Sequence, residues 1–230
     1  MSLDARRDAY SGGALPFLWT PPPGSRGLVT FGADDGAGDA EPDASSPELP
    51  PHRNLQEPVL LRLVFSAEEC QRIRSLAEQR PLWSGRSSSP DADYRVCTTS
   101  WVARSEDTGW IFDRIARVVR QSNAEYRFEL AGFGEPLHYV IYGPGGKFDW
   151  HSDLGPDRAS NRKLSVSIQL SPESSYAGGL LELSPHGPLD AFREQGSTLV
   201  FPAYIPHRVL PVTSGKRHAL VAWIHGVPFR

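Results

Sequence analysis

Residues 197–225 read STLVFPAYIPHRVLPVTSGKRHALVAWIH, three apolar runs separated by short polar or proline-containing stretches. Short runs rich in Val, Leu, Ile and aromatic residues, bounded by Pro, Ser or Gly, are typical of β-strands. We therefore predict strands at 197–202, 207–212 and 217–225. Their close spacing predicts that they pack together in an all-β core.

Four similar runs come before residue 197 and extend the predicted β region toward the N-terminus. These strands are predicted at 136–142, 147–153, 162–170 and 178–183. Glycine and proline separate them at fairly even spacing, which is typical of β-sandwiches and barrels. The seven strands together therefore predict a sandwich or barrel.

Two helices are predicted ahead of these strands. Ser66 and Glu69 form a capping box, Ser-x-x-Glu, after an apolar run at 58–65 that is itself predicted as a buried strand. The first helix runs from there to about Gln79, and a second, at about 108–126, keeps its apolar side chains on one stripe. Two helices followed by about seven strands predict a mainly β fold with flanking helices, a jelly roll with the helices packed on one sheet.

The first 56 residues differ from the rest in composition. Residues 32–51, GADDGAGDAEPDASSPELPP, are acidic, small and rich in proline. Such a segment cannot bury enough apolar surface to offset its chain entropy. We predict a disordered tail over 1–56 and one folded domain over 57–230.

Composition excludes several classes of partner. The net charge is −3 and no basic, aromatic-rich patch is evident, so nucleic acid is an unfavoured partner. The apolar runs, such as 219–224, are far shorter than the roughly 20 residues that span a membrane. Cys70 and Cys97 form no Cys-x-x-Cys pair, which argues against a thiolate metal site and fits a reducing, cytoplasmic location. No feature indicates an oligomeric state.

His151 and Asp153 lie two positions apart in a predicted strand. Side chains at i and i+2 point to the same face, so these two project together and Ser152 points away. His207 begins another predicted strand, directly after Pro206. Two histidines and one aspartate from separated strands match the 2-His-1-carboxylate triad, which occupies one face of an octahedral iron(II). The alternative is a surface strand and a strand-end histidine without any metal.

Arg217 follows His207 by ten residues, beyond a Thr-Ser-Gly turn. A three-residue loop at 213–215, with Gly215 in the left-handed position, would pair Pro211 with Arg217. His207, Pro211 and Arg217 would then face inward, with Arg217 ~13 Å along the sheet from His207. A five-carbon diacid held by a metal at one end and a guanidinium at the other fits that gap. The alternative is a surface arginine.

Five stretches of the chain resemble the iron(II)/2-oxoglutarate-dependent dioxygenases. They are YGPGGKFDWHSD (142–153), RKLSVSIQLS (162–171), GGLLEL (178–183), GSTLVFP (196–202) and HRVLPVTSGKRHALVAWIHGVPF (207–229). The resemblance covers about 57–230 and is to the prolyl 4-hydroxylase-like branch, with its bacterial prolyl/lysyl hydroxylase-type members. It implies a double-stranded β-helix core, as in cupins.

The resemblance implies specific roles for four residues. His151, Asp153 and His207 match the iron ligands, and Arg217 matches the residue that holds the distal carboxylate of 2-oxoglutarate. Halogenases of this superfamily replace the carboxylate ligand with a small residue, so the presence of Asp153 favours hydroxylation. The implied reaction uses Fe(II), O2 and 2-oxoglutarate, with ascorbate as a further candidate. It hydroxylates a C–H bond and releases succinate and carbon dioxide.

Three further positions match residues near the co-substrate or the iron. Tyr142 matches an aromatic residue that lines the co-substrate pocket. Gln169 lies where some relatives place a tyrosine on the co-substrate, and a glutamine there can still donate a hydrogen bond. Trp223 matches an aromatic residue near the iron, with a plain core position as the alternative. His138 has no matched role, although it shares the alternation of Tyr142 if that strand is unbroken.

The sequence says less about the substrate. In this branch the region corresponding to 84–95 can cover the substrate, which makes Arg86, Tyr94 and Arg95 candidate contacts. Trp101, in the strand-like run that follows, and Trp223 are further candidate substrate contacts. The alternative for the 84–95 region is a solvated polar loop. We expect a prolyl-like residue of a peptide or protein as substrate. The alternatives are a free amino acid or small metabolite, and a non-catalytic, metal-binding jelly-roll module.

Overall fold

The computed structural model describes residues 55–85 and 94–229. Residues 1–54 of the predicted tail, and Arg86 within the predicted substrate loop, lie outside the described residues. The two helices are α1 (Ala67–Glu78) and α2 (Gly109–Tyr126), close to their predicted bounds. Both hydrogen bonds of the Ser66 capping box are present, so the local sequence fixes where α1 begins.

Fifteen short strands are present in the described ranges. In chain order they are β1 (Val59–Leu61), β2 (Trp83–Ser84), β3 (Arg95–Val96), β4 (Thr98–Val102), β5 (Leu130–Phe133), β6 (Leu137–Tyr142), β7 (Lys147–His151), β8 (Arg162–Gln169), β9 (Tyr176–Gly178), β10 (Leu181–Leu183), β11 (Gly187–Pro188), β12 (Thr198–Pro202), β13 (His207–Val209), β14 (Val212–Gly215) and β15 (Arg217–Gly226).

The strands form two principal sheets, and the predicted jelly roll with flanking helices is confirmed. The larger sheet has the order β1-β12-β8-β15-β6-β4-β2, with β5 paired to β15. The smaller sheet has the order β11-β10-β13-β7-β3, and β14 pairs with β9 alone. One apolar cluster joins the two sheets, and another joins the larger sheet to both helices. The helices therefore cover one face of the larger sheet, and the smaller sheet covers the other.

Alternate side chains of β15 face the cavity between the sheets and the apolar cluster on the helix side. Arg217, Ala219, Val221 and Trp223 line a cavity between the sheets. Leu220, like the other even-numbered apolar residues of the strand, packs in the cluster that includes the helices. Since successive side chains of a strand point to opposite faces, one strand serves both the site and the helix-side core.

Two predicted strands are shorter than expected. The run at 58–65 is strand only over Val59–Leu61, because Leu63 has a left-handed φ of 51° that ends the extended backbone. The run at 178–183 is divided between β9 and β10. Gly178 and Gly179 both have positive φ, 71° and 63°, which turns the chain between the two strands.

The predicted hairpin over 211–217 is wrong. Strand β14 pairs with β9 rather than with β15, and Arg217 pairs with Tyr142 of β6. Pro211 is exposed rather than directed inward. Gly215 does have the expected positive φ, 71°, but at the end of β14 in a different pairing. Arg217 nevertheless faces inward, because it shares the face of β15 that carries Ala219, Val221 and Trp223 into the cavity.

Candidate metal centre and cavity

The two histidines of the predicted triad lie opposite each other on neighbouring strands. His151 ends β7, His207 begins β13, and the register pairs them directly. Their ring centroids are 4.2 Å apart. Residues directly paired across an antiparallel ladder place their side chains on the same face, so both imidazoles point into the space between the sheets.

Asp153 joins them from outside the strand. The prediction that 147–153 is one strand is wrong at its end, since β7 stops at His151. The Asp153 backbone N–H instead donates to the Ala203 carbonyl at 2.9 Å, which anchors the turn. Its carboxylate lies 3.9 Å from Nε2 of His151 and 3.6 Å from Nε2 of His207.

Both imidazoles are oriented by backbone carbonyls. Nδ1 of His151 lies 2.7 Å from the Asp149 carbonyl oxygen, and Nδ1 of His207 lies 3.0 Å from that of Ile205. A carbonyl only accepts, so each Nδ1 carries the hydrogen and each Nε2 presents a lone pair to the cavity. In metal sites, a hydrogen bond from the other ring nitrogen to a carbonyl or carboxylate orients a histidine ligand in the same way.

The protonation states also suit a cation. Burial, with the nearby His207 as the next cause, lowers the pKa of His151 to about 4, so the His151 imidazole is neutral near pH 7. Burial acts to raise the pKa of Asp153, but the two imidazoles and the Ser165 hydroxyl outweigh it and lower that pKa. The potential ligand atoms all lie within 4.8 Å of one another. Two imidazoles and a carboxylate on one side of the cavity fit iron(II).

Arg217 lies in the same cavity, buried, with 2% of its surface exposed. Its Nε donates to Oε1 of Gln169 at 3.2 Å, and its Cζ lies 5.7 Å from the centre of the Tyr142 ring. No carboxylate among the described residues pairs with it. The guanidinium is held by a neutral amide and an aromatic ring, so its charge is available to an anion.

Gln169 occupies a different place from the one the resemblance implied. Its Nε2 donates to the Ser171 carbonyl at 3.2 Å and to the Tyr176 hydroxyl at 3.0 Å. The side chain is not among those that line the cavity. The amide therefore supports Arg217 from behind, and its own donors are already used.

Three predicted substrate residues, Arg95, Trp101 and Trp223, also line this cavity of about 450 Å³. His138 stacks on both indoles, with ring centroids 4.4 Å from Trp101 and 5.6 Å from Trp223, and the two indole centroids are 6.1 Å apart. The inward alternation of His138 with Tyr142 is confirmed. Burial, assisted by the charge of Arg95, lowers the pKa of His138 to about 3, so that imidazole is neutral.

A second arginine near the metal centre was missed by the sequence analysis. Arg162 makes a bidentate ion pair with Glu135 at 2.8 and 2.7 Å and donates to the Asp153 carbonyl at 3.1 Å. Its Cζ lies 3.8 Å from the Trp223 ring. The carboxylate partner lies 27 residues away in the chain, so no local motif signals the pair.

Comparisons with known proteins agree with this geometry. The sequence model of the 2OG-Fe(II) oxygenase superfamily matches residues 137–225. A PKHD-type hydroxylase of Synechococcus elongatus is 27% identical over 174 residues, which cover 72% of this chain and 77% of that protein. One from Parvibaculum lavamentivorans is 38% identical over 87 residues, or 37% of this chain and 40% of that protein.

Solved structures show the same fold. A prolyl-4-hydroxylase of Pseudomonas putida aligns with a TM-score of 0.61 and 19% identity, covering 75% of this chain and 94% of that one. A prolyl hydroxylase from Trichoplax adhaerens, in complex with a hypoxia inducible factor oxygen degradation domain peptide fragment, aligns with a TM-score of 0.61 and 18% identity. That alignment covers 75% of this chain and 85% of the other.

The matched family model, the PKHD-type relatives and the His-Asp-His cluster together support a prolyl hydroxylase-like dioxygenase dependent on Fe(II) and 2-oxoglutarate. The reaction class they support is hydroxylation, with Fe(II), 2-oxoglutarate and O2 as cofactor and co-substrates. They favour an enzyme over a non-catalytic jelly-roll module. Neither helix in residues 55–85 and 94–229 has the length and hydropathy that a membrane-spanning helix needs.

Proposed function

We propose that this enzyme hydroxylates an unactivated C–H bond of a prolyl-like residue, coupled to decarboxylation of 2-oxoglutarate to succinate and carbon dioxide. His151, Asp153 and His207 bind Fe(II), and Arg217 binds the distal carboxylate of 2-oxoglutarate. One observation carries the proposal. The three-residue cluster and an arginine without a carboxylate partner among the described residues face the same cavity.

Hydrogen bonds within the chain hold the three proposed metal ligands in position. The backbone carbonyls of Asp149 and Ile205 hold the two imidazoles in the tautomer that binds a metal. Ser165 and the turn after β7 hold the Asp153 carboxylate on the same side. Iron bound there, with 2-oxoglutarate and O2, supplies the oxidising power for C–H hydroxylation.

Arg217 orients the co-substrate by its distal end. Its guanidinium fork suits a carboxylate, and Gln169 fixes the fork without cancelling its charge. Tyr142 covers the guanidinium on one side. Apolar side chains close the space between the sheets, so the electrostatic contact is made with little competition from water. They include Val140, Leu181, Phe201 and Val209.

An exposed tryptophan near the cavity, Trp83, favours a peptidyl substrate. Trp83, on the edge strand β2, is 61% exposed and pairs with Thr99, two residues before Trp101 on the same strand. Trp83 therefore lies on the face of the sheet that leads to the cavity. The alternative, a free amino acid or small metabolite, is favoured by the group of three rings formed by Trp101, His138 and Trp223, which suits a compact group.

An anaerobic titration tests the proposal. Apo-protein receives Fe(II) and then 2-oxoglutarate, and the visible charge-transfer band is recorded. We expect the band in the wild type, its loss in Asp153→Ala, and at least tenfold weaker 2-oxoglutarate binding in Arg217→Ala. His186→Ala, outside the cavity, is the control and should behave as the wild type.

Product analysis then tests the coupling. Under air, succinate should form in the wild type and in His186→Ala, and prolyl peptides should increase it. A folded wild type that shows no band would refute the assigned metal centre. A band with unchanged 2-oxoglutarate affinity in Arg217→Ala would refute the role of that arginine. A prolyl peptide that leaves succinate formation unchanged would count against the substrate.

A further inference from the structure

Three arginines line the cavity, and they differ in what holds them. Arg162 is neutralised by the bidentate carboxylate of Glu135. Arg217 has only the neutral amide of Gln169, and we assign it to the distal carboxylate of 2-oxoglutarate. Arg95 is like Arg217 in this respect, because none of its partners among the described residues is a carboxylate.

Neutral groups hold Arg95 in a fixed position. Its Nη2 lies 3.2 Å from Nε2 of His138, its Nε donates to Sγ of Cys97 at 3.2 Å, and its Cζ lies 4.8 Å from the centre of the Phe148 ring. Burial lowers the pKa of His138 and raises that of Cys97, so both groups are uncharged near neutral pH. They orient the guanidinium without balancing its charge.

The cost of this arrangement points to a ligand. Arg95 is half-buried, and a partly desolvated cation with no carboxylate partner among residues 55–85 and 94–229 is unfavourable unless an anion joins it. A guanidinium has five N–H donors, and the contacts of Arg95 with the described residues use two. The remaining donors suit a bidentate contact with a carboxylate.

The position of Arg95 limits where that carboxylate lies. Phe148 stacks on His151 with ring centroids 3.5 Å apart. With the Arg95 contact to the same ring, this puts Cζ of Arg95 within about 8 Å of the His151 ring centre. A carboxylate on Arg95 and a carbon facing the metal centre are therefore close enough to belong to one residue.

We propose that Arg95 binds the α-carboxylate of the very residue that is hydroxylated. The substrate class is thus a prolyl-like residue with a free carboxylate, as a free amino acid or at the C-terminus of a peptide. The ring would lie against the aromatic wall of Trp101, His138 and Trp223. This inference rests on the proposed function and narrows its substrate.

Matched acid and amide probes test the inference. The anaerobic enzyme, loaded with Fe(II) and 2-oxoglutarate, is titrated with L-proline, L-prolinamide, Gly-Gly-L-proline and its C-terminal amide. Perturbation of the visible band reports binding. In the wild type we expect at least one acid to bind tenfold or more tightly than its amide. In Arg95→Gln that preference should disappear, because acid binding weakens far more than amide binding.

Arg208→Gln is the matched control. Arg208 also lies 4.8 Å from an aromatic ring, that of Trp150, but it is outside the cavity and pairs with Glu182. The Arg208→Gln variant should prefer the acid over the amide as strongly as the wild type does. The relative affinity of proline and the tripeptide identifies which of the two sources carries the carboxylate.

Three outcomes would overturn the inference. They are equal binding of acid and amide in the wild type, an acid preference that persists in Arg95→Gln, and a loaded complex that binds neither acid. A wild type without the visible band is a separate result. It would refute the metal centre of the proposed function, and the inference with it.

Discussion

The Ser165 hydroxyl donates a hydrogen bond of 2.5 Å to Oδ2 of Asp153. Ser165 lies in the middle of β8 in the larger sheet, whereas Asp153 follows a strand of the smaller sheet. The bond therefore connects the two sheets at the metal centre. It also satisfies Oδ2, one of the two oxygens of the Asp153 carboxylate.

Ser165→Ala should weaken Fe(II) binding by roughly 10- to 100-fold, because the outer partner of a carboxylate ligand fixes its orientation. Ser167→Ala is the control, since Ser167 lines the same cavity from the same strand and makes no contact with Asp153. Competition with a metal-sensitive dye gives both affinities. Equal affinities in the two variants would contradict the role of Ser165.

Gln169→Leu should weaken 2-oxoglutarate binding about tenfold, because Arg217 loses the acceptor that orients its fork. Fe(II) affinity should stay near the wild-type value, since the Gln169 side chain does not reach the metal centre. Weaker 2-oxoglutarate binding with unchanged Fe(II) binding is the result that would identify this role of Gln169. Gln195→Leu, whose amide donates to the Leu170 carbonyl, is the control for loss of a partly buried glutamine.

Glu135→Gln should lower the free energy of unfolding by about 3 kcal/mol, because Arg162 would keep its charge without a counter-ion in a largely buried position. His225, whose Nε2 lies 3.1 Å from Glu135, would lose the same partner. Glu173→Gln removes the exposed partner of Arg193 and should cost less than about 1 kcal/mol. Denaturant titration measures both. Similar losses would contradict the special place of Glu135.

Stability should fall with acid partly through His218. Burial, with help from the charge of Arg74, lowers the pKa of His218 from 6.5 to about 4. The unfolded chain then takes up this proton near pH 6.5, and the folded chain only near pH 4. The contribution is complete above pH 6.5 and is lost as the pH falls toward 4, up to about 3 kcal/mol.

His218→Gln tests this by removing one titration. Unfolding of the metal-free protein between pH 7 and 4 should show a shallower loss of stability in the variant than in the wild type. His186→Gln should keep the wild-type slope. Parallel curves for His218→Gln and the wild type would refute the assignment, whatever the absolute stability of the variant.

Residues 55–57 contact the folded domain at several points. The Tyr204 hydroxyl donates to the Leu55 carbonyl at 2.6 Å, and the Tyr126 hydroxyl donates to the Glu57 carbonyl at 2.7 Å. Removal of residues 1–50 should therefore leave the melting temperature and Fe(II) affinity unchanged. Removal of residues 1–58 should lower the melting temperature by several degrees, because both hydroxyls lose a partner.

The periodic parts of the sequence predicted the fold well. The capping box at Ser66 and the apolar stripe of α2 gave both helices, and the apolar runs of β6, β8, β12 and β15 gave four central strands. These segments are buried on both faces or one, so hydrophobic period and structure coincide. The inward direction of Arg217 was predicted correctly, although from a hairpin pairing that the structure does not have.

What the sequence could not predict depends on contacts between distant segments. The predicted partner strand of β14 was wrong, because the sequence of a turn does not determine which strand edge is free to pair. Asp153 reaches the site through a backbone bond to Ala203, not through strand alternation. The pairing of Arg162 with Glu135 and the support of Arg217 by Gln169 are tertiary contacts with no local signature.

Because alternate side chains of β15 face the cavity and the helices, the length of this strand is constrained. Deleting or inserting one residue inside 217–226 would reverse the faces of the side chains on one side of the change relative to those on the other. For a change between them, Arg217 and Trp223 could then no longer both line the cavity. Length variation compatible with activity is therefore expected in the connections between strands, and substitutions alone within this one.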